Sequence, residues 1–332
     1  LSLTACGGGE QQEMGATRPV YTMDTVMNLT AYGENASAAL DAAEETLRTL
    51  DAKLDRHDET STVSALNCDG TVEDAELAQL TDIAQTIGAL SGGAFDPTVA
   101  PVMDAWDFTG DAPRVPSDEE LSALLAHVGL ENLSVDGNTI ALSDGAQLDL
   151  GGIAKGYTAG RIRKILQDAG VRAAIVSLGG NVAAIGKKPG GGDWIVGLQD
   201  PQDPGLYFGT VAVADACVVT SGGYQRYFTG PDGTVYQHIL DPKTGYPVQG
   251  DLLSASAILP RSGDELAGTR ADAYSTALYV MGESGAADFW RAHRDFDMVL
   301  VTTDGRVVYT PGLASVFHEA EGVSYVCEQL AD

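Results

Sequence analysis

Apolar residues in the first half of the chain recur at helical spacing. Leu40, Ala43, Leu47, Leu50 and Leu54 fall three and four apart, which predicts an amphipathic helix. A second helix is predicted from Asp74, where Leu77, Leu80, Ile83, Ile87 and Leu90 share a face and Gly92-Gly93 end it. A third starts at the capping pair Ser117 and Glu120, carries Leu121, Leu124, Leu125 and Val128, and stops at Gly129. Beyond this the period shortens. Ile140 to Leu142 and Leu148 to Leu150 flank Asp144-Gly145, and Val299 to Thr303 and Val307 to Tyr309 flank Asp304-Gly305, each with the pattern of a hairpin. Apolar runs at 171–178, 182–186, 194–198, 210–220 and 253–259 predict further strands, interrupted by helices over about 153–169 and 269–281. Strands and helices do not alternate regularly, so the chain reads as α+β with a largely antiparallel sheet.

At 332 residues and 44% hydrophobic content, the chain can bury a core for one large two-lobed domain or two modest ones. It opens on Leu3-Thr4-Ala5-Cys6-Gly7, a small-residue tract closing on a cysteine, the pattern of a bacterial lipoprotein processing site. The expectation is an exported protein with lipid on Cys6, extracytoplasmic and anchored to a bacterial membrane. The Gly, Gln and Glu residues that follow have little to bury and read as a tether. Residues 1–19 are therefore expected to be signal-peptide remnant, processing site and tether, and 20–332 the folded body. No run in that body approaches the roughly 20 apolar residues of a membrane-spanning helix.

Nineteen Lys and Arg against 47 Asp and Glu give a net charge of -28, a field that repels nucleic acid. An anionic substrate then needs a cation or local backbone dipoles. Cys68, Cys217 and Cys327 lack CxxC spacing and indicate neither a disulfide framework nor zinc, and Cys217 reads as core.

Several constellations carry candidate chemistry. Asp272 and Thr276, four apart at the start of an apolar helix, share one face and offer oxygen ligands suited to Mg²⁺; Asp272 read by itself is better explained as a first-turn acid favoured by the helix dipole. Asp149-Leu150-Gly151-Gly152-Ile153-Ala154-Lys155-Gly156-Tyr157 runs through two glycines into a helix. Its backbone N–H groups could meet a phosphate, with Lys155 adding charge, or the glycines could simply permit close packing. His238 ends a strand before the turn Asp241-Pro242-Lys243-Thr244-Gly245 and is either a base near neutral pH or a histidine bonded to its turn. Gly92 to Val99, Ser177 to Asn181 and Thr220 to Tyr224 are small-residue turns, with Phe95 beside Asp96 a candidate wall for a planar ligand; Trp106 and Phe108 read as core.

Taken in this order, the set resembles the ApbE-type FAD:protein FMN transferases, formerly labelled thiamine-biosynthesis lipoproteins. The resemblance runs from Met23-Asp24-Thr25 through Gly93 to Thr98, Asp149 to Tyr157, Ser177 to Asn181, Thr220 to Tyr227, His238 to Gly245 and Asp272 to Gly282. It implies a T-fold-like α+β architecture with two lobes around an FAD cleft, and Mg²⁺-dependent transfer of FMN from FAD to a threonine of an acceptor protein, releasing AMP. It implies metal ligation by Asp272, Thr276 and the main-chain oxygen of Ala154, and His238 as base. Met23, Ala94, Phe95, Asp96, Gly151, Tyr157 and Ile239 match positions lining the FAD site, and His57, Lys155 and Ser221 join them as candidate nucleotide contacts. Asp24 stands where many members have glycine, and His57 where some have an aromatic near the flavin. Exported or membrane-bound FMN-binding electron-transfer proteins are the implied acceptors. A Mg²⁺-dependent FAD pyrophosphatase would use the same residues with water as nucleophile, and a non-catalytic FAD-binding lipoprotein is the third reading.

Overall fold

A computed structural model of the protein describes residues 15–108, 110, 112–231, 233–260 and 264–332; Cys6 and the expected lipid-attachment tract lie outside the described residues. The described chain opens with a hairpin of β1 (Gly15–Thr22) and β2 (Thr25–Tyr32), paired from Gly15↔Tyr32 to Thr22↔Thr25. Its two-residue loop holds Met23 at φ +47° and Asp24 at φ +56°, a type I′ turn whose twist matches the strands it joins. Strand structure therefore starts at Gly15, upstream of the Val20 expected from composition. Residues 15–19 are exposed or half-buried, so they carry no apolar signal and enter the sheet through backbone pairing with β2.

The expected helices follow as α1 (Ala36–Leu54), α3 (Ala75–Leu90) and α5 (Asp118–Leu125), with α2 (Thr62–Asp69), strand β3 (Thr71–Glu73) and α4 (Ala100–Trp106) between them. Side-chain caps fix three of the starts: Ser61 accepts from the Ser64 N–H, Asp74 from Leu77 and Ser117 from Glu120. The short α2 and α4 carry too few turns to show a period in the sequence.

The hairpin expected around Asp144-Gly145 does not form. Strand β5 (Thr139–Leu142) pairs instead with β4 (Leu133–Asp136) across a loop containing Gly137, at φ +59°, and with β3 on its other side. Leu148 has no ladder partner because the Asn67 amide takes its place, accepting from the Leu148 N–H at 2.7 Å and donating to its carbonyl at 3.0 Å.

Next come α6 (Ala154–Asp168), β6 (Ala173–Leu178), β7 (Asn181–Ile185) and β8 (Trp194–Gln199). The single run expected over 210–220 is two strands in different sheets, β9 (Tyr207–Val213) and β10 (Ala216–Gly222), broken where Asp215 takes φ +48°. After β11 (Tyr227–Thr229), β12 (Val235–Gln237) and β13 (Leu252–Pro260) comes α7 (Ala267–His293). Gly282 interrupts its backbone at φ +71°, at the expected end, but the Asp251 carboxylate accepts from the Glu283 N–H at 3.0 Å and restarts the helix. The expected hairpin over Asp304-Gly305 forms as β14 (Asp297–Thr302) and β15 (Arg306–Tyr309), followed by β16 (Phe317–Glu319) and β17 (Val326–Gln329).

The central sheet has nine strands in the order β1-β2-β6-β7-β10-β13-β14-β15-β17, antiparallel except for β15 with β17. Its strands alternate between two cores, as a period of two requires. Cys217, Val219, Ala255, Ala257, Met298 and Leu300 face the helical side, while Val218, Ile258, Val299 and Val301 face the smaller sheet β16-β9-β8. The chain is thus an α+β protein with a large, mostly antiparallel sheet, as expected. A third cluster packs Trp106 against Phe108, Phe228, Tyr236 and Tyr246, and the Trp106 indole donates to the Gly245 carbonyl at 2.8 Å. Among the described residues Cys68, Cys217 and Cys327 take part in no disulfide, and Cys217 is buried. No helix among the described residues is long and apolar enough to cross a membrane.

Candidate active site

The centre of the site is the crossing of α6 and α7, which two glycines bring together. A Cβ on Gly156 would lie 2.2 Å from the Gly268 carbonyl oxygen and 2.6 Å from Asp272 Cβ. A Cβ on Gly152 would lie 3.1 Å from the Phe95 ring and 3.4 Å from Thr276 Oγ1. The small residues of the Gly151-to-Gly156 stretch therefore set the close packing that delivers Asp272 and Thr276 to one spot.

Asp272 is 4% exposed and both its oxygens are engaged: Oδ2 accepts from the Gly156 N–H at 2.7 Å and Oδ1 from Asn181 Nδ2 at 3.2 Å. Burial pushes its carboxyl above the usual range, against the Lys155 charge and these two hydrogen bonds, which hold it down. Lys155 makes no ion pair among the described residues, and its charge reaches both Asp272 and His238.

The expected cradle of free backbone N–H groups is largely spent internally. Gly151 N–H donates to Asp149 Oδ1, the N–H groups of Ile153 and Ala154 to the Leu150 carbonyl, and Gly156 to Asp272. The turn is closed because the following helix needs those bonds to start, so Lys155, rather than the backbone, is the cationic feature here. Arg56 braces the turn from outside, bridging Asp149 at 2.8 Å and Asp104 at 2.7 Å.

His238 follows β12 and is partly exposed. Its Nδ1 lies 3.2 Å from the Arg226 carbonyl, which only accepts, so a neutral ring carries its proton on Nδ1 and leaves the Nε2 lone pair open. Burial pushes its pKa down to about 4, helped by the Arg226 and Lys155 charges and opposed by the hydrogen bond to the Arg226 carbonyl and by Asp149. Arg226 also pairs with Asp24 at 3.5 Å, tying the β1–β2 turn to the same corner. Met23 packs from that turn onto the main core.

Gln237 holds the backbone beyond His238. Its amide accepts from the Ile239 N–H at 2.6 Å and donates to the carbonyls of Ile239 at 2.9 Å and Val248 at 3.0 Å. The chain then reaches Pro242 and Lys243, which line a cavity of about 410 Å³ together with Gly93, Asp96, Gly129 and Glu131. Asp96 is buried there; burial raises its carboxyl and Glu131 adds to the effect, while hydrogen bonds from Thr98 oppose it. Ala94 and Phe95 are buried beside it, with the Phe95 ring over Gly152.

The structure thus sets Thr276 beside Ser221, and Asp272 on the Gly156 N–H within reach of the Lys155 charge; Ala154 opens α6 two residues before Gly156, Gly151 lies on the turn leading into that helix, and Phe95 sits on a separate loop with its ring facing Gly152. Tyr157 is turned elsewhere: its hydroxyl donates to Glu76 at 2.9 Å, within a network that includes Lys53 and Arg161. His57 is exposed, with its N–H donating to Asp55 and no side-chain bond among the described residues. Gln237, Arg226 and Arg56 belong to the site's framework without having been singled out from sequence, and Asn181 was named only as the end of the Ser177-to-Asn181 turn, with no role assigned. Their roles depend on partners distant along the chain, and a lone amide or guanidinium carries no local signal.

No group of three or more His, Cys, Asp or Glu side chains able to hold a metal occurs among the described residues. The set at the crossing is of another kind: one carboxylate, one hydroxyl and one main-chain carbonyl. The Ala154 carbonyl accepts from Thr158 Oγ1 at 2.7 Å and retains a second lone pair. Asn181 Oδ1, beside Asp272, is buried and has no hydrogen-bond partner. All-oxygen donors with an unsatisfied polar atom next to a buried carboxylate fit a hard cation that keeps part of its water shell.

The family model for the ApbE family matches residues 23–300. The FAD:protein FMN transferase of Treponema pallidum is 32% identical over 92% of this chain and 90% of its own length, and that of Klebsiella pneumoniae is 33% identical over 69% and 70%. Among solved structures, the ApbE protein of Thermotoga maritima superposes with a TM-score of 0.84 at 31% identity, covering 93% of this chain and 100% of that one. The apo flavinyl transferase ApbE of Pseudomonas stutzeri gives 0.76 at 27%, over 93% and 95%. In sequence and in fold, the chain belongs to the ApbE family.

Proposed function

We propose that this protein is an FAD:protein FMN transferase that moves FMN from FAD to a threonine hydroxyl of an acceptor protein, releases AMP and depends on Mg²⁺. The observation that carries the reading is His238, held by its Nδ1 so that Nε2 is open, in the same electrostatic neighbourhood as Lys155 and the Asp272–Thr276 face.

A threonine hydroxyl is far too weak an acid to ionise near neutral pH, so its proton has to leave as its oxygen attacks phosphorus. Nε2 of His238 accepts that proton. The new bond joins the threonine oxygen to the FMN phosphorus, and the bond from that phosphorus to the bridging oxygen breaks, leaving the bridging oxygen on AMP. An anionic pyrophosphate beside the ring favours the imidazolium, so the low pKa of the free protein rises as substrate binds. Lys155 adds a positive charge that helps hold the pyrophosphate in a protein of net charge -28. Asp272, Thr276 and the Ala154 carbonyl would hold Mg²⁺, which supplies further charge to offset that on the pyrophosphate and the leaving phosphate. The 410 Å³ cavity at Asp96 and Lys243 offers room for part of the dinucleotide.

The expected acceptors are FMN-binding electron-transfer proteins at a membrane. Anchoring there through lipid on Cys6 rests on the Leu3-to-Gly7 pattern, and labelled palmitate that enters the wild type but not Cys6→Ala supports it. The transferase reading is tested by AMP release from FAD with and without an acceptor domain. Release that requires the acceptor supports transfer. Equal release without it makes the protein a pyrophosphatase.

A further inference from the structure

Three hydroxyls beside Asp272 form a chain whose direction is fixed from one end. Ser275 Oγ lies 2.8 Å from the Asp272 main-chain oxygen, and a carbonyl only accepts, so the single Ser275 proton lies on that bond. Ser221 Oγ lies 2.8 Å from Ser275 Oγ; with the Ser275 proton committed, Ser221 is the donor there. Ser221 Oγ also lies 3.2 Å from Thr276 Oγ1, and with the Ser221 proton committed in turn, Thr276 donates. The polarity therefore runs from Thr276 through Ser221 and Ser275 to the helix backbone.

The consequence falls on Thr276. Its proton is turned toward Ser221, and both lone pairs of Oγ1 are left for another partner. Ser275 is fully buried, whereas Thr276 is partly exposed, so the buried end fixes the direction and the open end presents it. Without the chain, the nearest anionic acceptor on that helix face is the Asp272 carboxylate one turn back. A proton drawn there would occupy a carboxylate lone pair and point hydrogen where a cation needs oxygen.

We propose that Ser221 and Ser275 are positioning residues that hold the Thr276 proton away from the Asp272 side, so that the threonine hydroxyl meets a divalent cation with its lone pairs. The proposal rests on the Mg²⁺-dependent reading given above. Ser221 then acts on the metal face through Thr276, in addition to the nucleotide contact expected of it from sequence.

The test is Mn²⁺ binding to the FAD-free protein, followed by the loss of the free Mn²⁺ electron paramagnetic resonance signal, with thermal midpoints recorded alongside. Ser275→Ala and Ser221→Ala should each weaken Mn²⁺ binding about 10-fold. The double variant should lose no more than either single one, because all three release the same proton. Ser221→Thr, which keeps the hydroxyl, should bind within about twofold of wild type. Single variants that bind like wild type, or losses that add in the double variant, overturn the proposal while Asp272-dependent binding still supports the metal. A wild type that binds no Mn²⁺, or binds it equally well after Asp272→Asn, removes the metal reading and this proposal with it.

Discussion

The Gly156 N–H donates to Asp272 Oδ2 at 2.7 Å while the glycine's α-carbon sits where a side chain would strike the Gly268 carbonyl oxygen at 2.2 Å. One residue thus sets both the approach of α6 to α7 and the orientation of the buried carboxylate. Gly156→Ala must push the helices apart. The expected cost is about 3 kcal/mol of stability, together with loss of transferase activity. Chemical denaturation of the purified variant measures it, and unchanged stability would show that the crossing yields without strain.

His238 and Asp272 should separate chemistry from binding. His238→Ala removes the proton acceptor and leaves the α6–α7 crossing intact, so FAD binding should persist while transfer falls by about 10²–10⁴-fold. Asp272→Ala removes the charge that would hold the cation and should weaken both FAD binding and transfer. Flavin fluorescence titration and acceptor labelling, run on the same preparations, read the two effects.

The pH dependence has a definite sign. With its pKa pushed down to about 4, His238 is neutral and able to accept a proton at all higher pH, so the acid limb of kcat/KM should lie well below 6.5. The same depression makes folding favour the neutral ring. That contribution is fully present above the unfolded value of 6.5 and is lost as pH falls through the folded value of about 4. The thermal midpoint of wild type relative to His238→Gln should therefore drop as pH is lowered across that window. A gap that stays constant would contradict the assignment.

Much of this is legible in the sequence. Leu40 to Leu54 and Leu77 to Ile87 announced α1 and α3 because their apolar stripes face one core at one period, while Leu90, expected on the same face, is exposed at the end of α3. The β14–β15 hairpin was legible because Asp304-Gly305 joins two apolar runs that pair with each other. Asp144-Gly145 carried the same local signal and failed, since Asn67, more than seventy residues away along the chain, takes the backbone bonds of Leu148. The Asp272–Thr276 face followed from helical spacing, and the structure places Thr276 beside Ser221 and Gly152. The Gln237 clamp was hidden, because its three bonds depend on how the chain returns at Val248.

That clamp yields its own test. Gln237→Leu frees the Ile239 backbone and should lower kcat more than FAD affinity. Gln237→Glu sets a carboxylate against two carbonyl oxygens and should cost a further 1–3 kcal/mol or so in stability. Paired denaturation curves for the two variants check the order; a more stable Gln237→Glu protein would refute the hydrogen-bond directions assigned to the amide.

Intact-mass analysis of an FMN-binding acceptor domain, after incubation with this protein, FAD and Mg²⁺ and in parallel with a chelator, tests the central claim most directly. The account predicts a metal-dependent gain of one covalently held FMN, absent with His238→Ala. An acceptor that stays unmodified while free FMN and AMP accumulate would contradict it and leave a hydrolase in its place.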